Sequence, residues 1–244
     1  MSSLAHFTLA EMTELGAMLR RMGERATGVD EVAQRVVETI RGDLVDRETG
    51  QYECPLVRFF KTMPYEALDP ELQSFARRLL GDQDSIRREM PCLTLVATTG
   101  DQPSWNDRSR SVRHRTIPLA SNEMVNGAPM IARLLDQLGV RVDAFLSEAP
   151  ELIEKPAPDS FNVFFVPEAP GSDCIPDQKD FVEAFGIESV LGFGGMLPSK
   201  EIFVVILFSR TPITREVASL FRTLALNVKI ALLEVSAEAP EARM

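Results

Sequence analysis

The chain has 244 residues, of which 45% are hydrophobic, so it is long enough to bury one large core or two small ones. Its formal net charge of -10 argues against a nucleic-acid-binding surface, because binding phosphates requires clustered Lys and Arg. Three widely spaced cysteines indicate neither a disulfide framework nor a zinc module, and favour a reducing compartment. We see no signal peptide and no apolar window of about 18 residues, and therefore expect a cytoplasmic protein outside the membrane.

Two amphipathic helices are predicted at the N-terminus. Thr8 and Glu11 have the spacing of a capping box, and apolar residues follow it at intervals of three and four. Asp30 opens a second helix with a single apolar face, which we expect over 31–45. We expect the segment 1–29, with the first helix, to serve in dimerisation.

The next part of the chain alternates strand and helix patterns. Aromatic and β-branched residues predict a first strand over 52–62, and 92–100 is a second strand candidate. Between them, Asp69 and Pro70 are a strong helix start. The polar stretch 101–115 has no period, so we interpret it as a loop or an irregular hairpin.

Short helical pieces and proline-rich loops occupy the middle of the sequence. Ser121 and Pro129 start the helical pieces, and Gly139 is placed to end them. The segment 147–160 carries three prolines and is predicted to be an exposed connection before a strand over 161–166. A second proline-rich loop follows, and 179–185 is at most a short helix.

Three glycines, Gly192, Gly194 and Gly195, lie between two apolar runs. A phosphate-binding loop requires a helix directly after the glycines, and here another strand pattern follows. The stretch 189–209 is therefore predicted to be a hairpin that turns at 198–200. Its glycines remove side-chain bulk, which lets a helix or a ligand approach the sheet closely.

The last helix begins after Thr214 and is apolar on more than one side. Such a helix has to pack against its own sheet and against something else, for which a partner subunit is the economical candidate. Residues 235–244 are predicted to be a disordered tail. The order of the elements describes an α+β domain with an antiparallel sheet.

The segment GIESVLGFGGMLPSKEIFVVILFSRTPITREVASLFRTLALNVKIALL, 186–233, resembles the closing half of a GAF domain. The front of the chain corresponds as well, so the resemblance covers roughly 30–233. It implies a GAF-like domain over 30–234, with an antiparallel sheet of about six strands, helices on both sides and long N- and C-terminal helices. It also implies frequent dimerisation through the terminal helices and a pocket between the sheet and its loops.

Three stretches, CPLVRFFKTMPY, PCLTLVATTGDQPSWNDR and SVLGFGGMLPS, are similar to the N-terminal sensory regions of bacterial histidine kinases and related signalling proteins. The resemblance implies a signalling partner such as a histidine kinase or a response regulator of a two-component system. The sequence matches neither the signature of cyclic-nucleotide-binding GAF domains nor the Cys-His dipeptide that attaches bilins. Those two ligand classes therefore lose support.

The candidate ligand-binding residues lie in the first strand, the polar loop and the glycine hairpin. Arg58 has apolar neighbours, so it either forms a salt bridge at a sheet edge or faces the pocket. Trp105 and Asn106 combine an aromatic platform with hydrogen-bonding groups, or alternatively form a loop held by one buried indole. The full set adds residues near the glycines and in the basic loop: Arg58, Trp105, Asn106, His114, Phe193 and Met196.

A metal or haem site is a weaker hypothesis. His114 lies between two arginines, which favour a neutral imidazole, the form that binds metals. The alternative is a solvated basic loop. A site formed by His114 and Cys174 could hold haem or iron if the two loops converge, although free cysteines beside apolar segments usually behave as small buried hydrophobes.

No nucleophile elbow, HExxH, P-loop or paired-carboxylate motif occurs, so we expect no enzyme. The predicted function is a signal-sensing or regulatory module, homodimeric, that binds a small molecule over the sheet and signals through its terminal helices. The alternative is a dimeric interaction protein that recruits a kinase or regulator without a ligand. An enzyme that acts on a small metabolite is a third class.

Overall fold

A computed structural model of the protein describes residues 2–81, 86–111, 114–139 and 163–238. Its centre is a six-stranded antiparallel sheet with the strand order β3-β2-β1-β6-β5-β4. The strands are β1 (Leu56–Pro64), β2 (Pro91–Gly100), β3 (Thr116–Pro118), β4 (Val163–Val166), β5 (Ser189–Met196) and β6 (Ile202–Ser209). The predicted α+β class and the antiparallel sheet are confirmed.

The described α-helices are α1 (Leu9–Arg20), α2 (Val29–Asp43), α3 (Pro70–Leu80), α4 (Asn122–Asn126), α5 (Pro129–Gln137) and α6 (Arg215–Glu238). The predicted capping box of α1 is present. The amide of Thr8 donates to Glu11 Oε2 over 2.8 Å, and the amide of Glu11 donates to Thr8 Oγ1 over 3.3 Å. Asp69 caps α3 in the same way, because its Oδ1 accepts from the amide of Leu72.

One face of the sheet is covered by α1, α2 and α6. Val57 and Phe59 of β1 point into this core, where they meet apolar residues of all three helices. The buried helix residues include Leu15, Leu19, Val36, Ile40, Phe221, Leu224 and Val228. We call this side of the sheet the helical face.

The second apolar side of α6 contacts α1 of the same chain. A side chain at Gly23 would place its Cβ 2.4 Å from the carbonyl oxygen of Ala231, so glycine is needed for this close approach. Leu232, which the sequence places away from the main stripe, is fully buried. Part of the apolar breadth of α6 is therefore explained within one chain, whereas Leu226 of the same helix stays 60% exposed.

The opposite face of the sheet is covered by α5 and by the loops after β2 and β4. Leu56 and Phe60 of β1 point to this side, together with Ile206 of β6. Leu134 of α5 packs in the same cluster. Gln137 fixes the end of α5 to the sheet, because its Oε1 accepts from the amide of Phe165 in β4 over 2.9 Å. We call this side the loop face.

Several boundaries differ from the prediction. Strand β1 begins at Leu56 rather than at residue 52, because Tyr52 instead pairs with Val45 in an isolated bridge. The three-residue strand β3 was missed, since it is too short to show a period. The predicted short helix near 179–185 is a π-helical segment over Gln178–Glu183.

Two predicted segments lie at or beyond the ends of the described ranges. Helix α6 continues to Glu238, past residue 235 where the tail was predicted to start, and Val235 is buried. The proline-rich connection 147–160 lies outside the described residues. Within the described ranges, no helix is long and apolar enough to cross a membrane.

Candidate ligand-binding site

The strand register places one row of side chains across the middle of the loop face. In this row Arg58 of β1 lies between Thr98 of β2 and Ile206 of β6. The row continues through Gly192 of β5 to Phe164 of β4. Cross-strand neighbours point to the same side of a sheet, so all five positions share the loop face. We call them the central row.

Arg58 brings a buried cation to the middle of this apolar surface. Its Nε atom is inaccessible to solvent and has no hydrogen-bond partner among the residues that the structure describes. Burial alone lowers the pKa of the guanidinium from its ordinary value to about 10, without a contribution from a neighbouring charge. Of the two readings of the sequence, a salt bridge at an edge or a position facing a pocket, the first finds no ion pair among the described residues, and the second stays a prediction.

Thr98, which the sequence analysis did not single out, completes a polar pair. Its Oγ1 is also buried without a hydrogen-bond partner. Within the described ranges, Arg58 Nε and Thr98 Oγ1 are the only two buried side-chain polar atoms in this state. A sequence pattern could not reveal this pair, because it follows from the register between β1 and β2.

An aromatic cluster lies beside the central row, near the start of β1 and the end of β6. Trp105 lies 4.5 Å from the ring of Phe185 and 5.7 Å from that of Phe181, measured between centroids. Phe181 in turn contacts Phe208 of β6 edge to face at 5.0 Å. Phe208 is the cross-strand neighbour of Leu56, which precedes Arg58 on the loop face. The cluster therefore supplies apolar surface beside the buried cation.

Trp105 is held in place by Gly100 and Asn106. A Cβ at position 100 would lie 2.8 Å from Trp105 Cε3 and 2.8 Å from the carbonyl oxygen of Pro55, so only glycine fits. The amide oxygen of Asn106 accepts from the Gly100 amide over 2.9 Å, and its nitrogen donates to the carbonyl oxygens of Gly100 and Gln102. The amide group of Asn106 is thus engaged with the backbone and positions the indole.

Phe193 and Met196 do not join Arg58. Phe193 lies on the helical face, where its ring is 5.8 Å from that of Phe221 in α6, because neighbouring residues of a strand point to opposite sides. Met196 is four residues beyond Gly192 on the loop face, about 13 Å along the strand at 3.3 Å per residue. The proposal of Phe193 as a ligand contact is therefore corrected.

The glycines of β5 are explained by close neighbours. A Cβ at Gly192 would lie 3.2 Å from Phe164 Cβ, so the ring of Phe164 leans over this position. A Cβ at Gly194 would lie 2.1 Å from the carbonyl oxygen of Phe203 in β6. The sequence left open a ligand or a helix beside these glycines, and at Gly192 the structure has a side chain of β4 instead.

The predicted metal candidates lie in different loops. His114 precedes β3, and Cys174 lies in the loop after β4. Cys174 Sγ instead accepts from Arg133 Nη1 over 3.2 Å. The residues that the structure describes contain no cluster of three or more His, Cys, Asp or Glu suited to a metal ion.

A polar groove of about 490 Å³ lies between α3 and β2. Arg115 pairs with Glu71 over 2.6 Å there, and Arg108 pairs with Asp30 over 2.7 Å. Its arginines already have anionic partners within the chain. The groove is therefore a weaker candidate for a ligand than the central row, whose cation has no anionic partner within the described ranges.

An ionic network joins the loop face to the last helix. Arg210, in the linker before α6, donates through Nη2 to Asp101 Oδ2 over 2.7 Å and through Nε to the carbonyl oxygen of Phe185 over 3.0 Å. The other oxygen of Asp101 binds Arg41 of α2. Phe185 belongs to the aromatic cluster, so this network connects that cluster to elements of the helical face.

We compared the fold of the chain with solved structures. The GAF domain of a phosphoenolpyruvate-protein phosphotransferase from Coxiella burnetii matches with a TM-score of 0.50 and 10% identity, over 95% of this chain and 98% of that chain. The chain has a GAF-like fold. No protein-family model matches it, and no curated protein matches it either.

Two further solved structures match the chain at lower similarity. Free methionine-R-sulfoxide reductase from Neisseria meningitidis matches with a TM-score of 0.48 and 12% identity, over 95% of this chain and 96% of that chain. The phytochrome photosensory core module of Stigmatella aurantiaca matches with a TM-score of 0.43 and 12% identity, over 96% of this chain and 39% of that chain. At such low sequence identity, the matches say nothing about function.

Proposed function

We propose that this GAF-like protein is a cytoplasmic sensory or regulatory module that binds a small molecule on the loop face, between the sheet and α5. The buried Arg58 guanidinium carries the proposal. A polar group without a partner inside a protein is costly, and it is retained most often where a ligand or a mechanism uses it. The neighbouring Thr98 hydroxyl and the aromatic cluster supply further contacts.

We propose no catalytic role. Burial raises the pKa of the Cys54 thiol and raises that of Cys92 to about 12, which disfavours both as thiolate nucleophiles. The binding surface offers one cation and one hydroxyl among apolar side chains, a set suited to recognition.

Binding would reach the terminal helices through the ionic network. A ligand that moves Phe185 also moves its carbonyl oxygen, which accepts a hydrogen bond from Arg210 Nε. Arg210 lies in the linker before α6. A ligand shifts such an equilibrium only by its difference in affinity for the two states. We propose that the output reaches a histidine kinase or a response regulator of a bacterial two-component system in this way.

Native mass spectrometry after gentle purification, followed by a thermal-shift screen of a metabolite panel, tests this function. We expect one small molecule to be retained or to raise the melting temperature, and we expect that effect to disappear in Arg58→Gln. Hydrogen exchange of α6 should then change on binding. A verified ligand that leaves the exchange of α6 unchanged would contradict the proposed route.

A second candidate is an interaction protein that acts without a ligand. It is supported by exposed apolar side chains on the terminal helices: Leu9 is 65% exposed, Met18 39% and Leu226 60%. We propose that these helices form a homodimer. Light scattering of the wild type and of Leu226→Glu tests this, because a charge at the interface should yield a monomer. A monomeric wild type contradicts the dimer.

A further inference from the structure

We infer that the ligand is a small monocarboxylate with an apolar or aromatic body, which places its carboxylate on Arg58 and Thr98. The inference rests on the proposed function, and it names the chemical class of ligand for the same surface. The observation behind it is the juxtaposition of one buried guanidinium nitrogen, Arg58 Nε, and the buried Thr98 hydroxyl, which both lack a hydrogen-bond partner among the described residues and lie beside an apolar cluster.

The charge of Arg58 requires an anion. A guanidinium has five N–H donors and no acceptor, so only groups that accept hydrogen bonds satisfy it. The central row offers no carboxylate, since the other four positions are Thr98, Ile206, Gly192 and Phe164. Carboxylates match the planar guanidinium fork with two parallel hydrogen bonds.

The small number of donors favours a monoanion. One guanidinium balances one negative charge, and the Thr98 hydroxyl can donate one further hydrogen bond. A phosphate dianion would bring a second charge and more acceptor oxygens into the same buried surface, without donors to replace their water. The central row therefore fits a carboxylate better than a phosphate.

The surroundings determine the rest of the ligand. Leu56 and Phe60 lie on either side of Arg58 along β1, and Val204 and Phe208 flank Ile206 on β6 in the same way. Phe181, which contacts Phe208, and Trp105 extend this apolar surface. A hydrocarbon or an aromatic ring attached to the carboxylate would bury its surface there.

The full chain can be tested with a homologous series of probes: acetate, butyrate, hexanoate and benzoate, at constant ionic strength with chloride as the balancing anion. Hexanamide and benzamide are the uncharged counterparts, and inorganic phosphate is the competing anion. Two quantities are measured, the melting temperature and the ¹H–¹⁵N signal of Arg58 Nε, which is assigned by its disappearance in Arg58→Lys.

We expect hexanoate and benzoate to bind the wild type and to move the Arg58 Nε signal. Affinity should rise about fourfold for each added methylene that is buried on the loop face. Arg58→Gln should weaken hexanoate at least tenfold, and Thr98→Val should weaken it less. The control is Lys61→Gln, on the same strand but on the helical face, where Lys61 already pairs with Glu201. It should bind the carboxylates like the wild type.

The inference is overturned if hexanoate and benzoate leave the Arg58 Nε signal unmoved, or if they stabilise Arg58→Gln as much as the wild type. It is also overturned if the amides or phosphate bind as well as the carboxylates at Arg58. In that last case the proposed function stands and only the ligand class is wrong. If neither these probes nor a metabolite panel bind at all, the proposed function fails as well.

Discussion

Arg58 and Thr98 are cross-strand neighbours on β1 and β2, and each has a buried polar atom without a hydrogen-bond partner. A buried polar group without a partner costs about 1–3 kcal/mol, and a charged group costs more. The loop face therefore contains a local instability inside an otherwise well-packed core. A ligand that satisfies both atoms would remove this cost, and binding would then be coupled to stability.

Replacing Arg58 with methionine should stabilise the ligand-free protein. We expect Arg58→Met to raise the free energy of unfolding by about 1–3 kcal/mol, because it removes a buried charge and keeps most of the side-chain volume. Lys61→Met is the matched control, since Lys61 is equally inside the sheet but lies 2.5 Å from Glu201. It should destabilise by about 1 kcal/mol. Urea unfolding measures both, and a destabilised Arg58→Met would contradict the assignment.

The stability difference between the wild type and Arg58→Met should depend on pH. The pKa of Arg58 falls to about 10 in the folded state, so the unfolded chain holds this proton more tightly. The stability of the wild type relative to Arg58→Met therefore rises as the pH increases through about 10. Urea unfolding of both proteins at pH 9, 10 and 11 should show the difference narrowing toward the highest pH. A constant difference would argue against a depressed pKa.

Replacing Gly100 with alanine should displace the side chain of Trp105. The new Cβ would meet both Trp105 and the carbonyl oxygen of Pro55 at 2.8 Å, so the indole has to move. We expect a loss of about 1–3 kcal/mol and a red shift of the fluorescence, which comes from the single tryptophan of the chain. Gly42→Ala in α2 is the control, because nothing lies within 4 Å of its new methyl group. It should stabilise by up to about 1 kcal/mol.

The three cysteines should differ sharply in reactivity. Cys54 and Cys92 are fully buried, whereas Cys174 is half-buried and lies beside the Arg133 guanidinium. We expect iodoacetamide at pH 8 to modify only Cys174 in the folded protein and all three in urea. Peptide mass spectrometry locates the adducts, with Cys174→Ser as the unreactive control. Rapid native labelling of Cys92 would contradict its burial.

Replacing Asp101 with asparagine should weaken the link between the aromatic cluster and the terminal helices. The carboxylate bridges Arg41 and Arg210, and an amide keeps its shape but loses the charge. We expect a loss of about 1–2 kcal/mol and faster hydrogen exchange at the start of α6. Asp107→Asn is the control, because that carboxylate pairs only within its own exposed loop. Equal exchange of α6 in both variants would argue against the network.

The sequence predicted much of the fold because its signals are local. The capping box at Thr8, the cap at Asp69 and the strand patterns of β2, β5 and β6 depend on residues close together in the chain. The composition of the site was predicted less well. Arg58 could be placed on a face from alternation alone, but its lack of a partner depends on β2 and β6, which follow it by about 40 and 150 residues.

Two other predictions depended on long-range packing. The sequence shows that α6 is apolar on two sides, but it does not show that α1 of the same chain covers the second one. Similarly, the glycines of β5 indicate a close neighbour, and only the sheet order identifies it as Phe164 of β4. The sequence does not show whether the side chain of Asn106 contacts a ligand or holds a loop. In the structure its amide group forms hydrogen bonds with the backbone of Gly100.

The pairing of β1 with β6 is regular. The pairing of β1 with β2 contains a bulge, at which Val96 of β2 has no partner in β1. Alternate residues of β1 therefore belong to different cores for the whole length of the strand. Mutagenesis at Val57 and Phe59 should change stability and spare recognition, whereas mutagenesis at Arg58 and Phe60 should change recognition as well as stability. A single residue inserted within β1 would exchange the two sets for all residues after it, so natural variation here should occur by substitution, with strand length held constant.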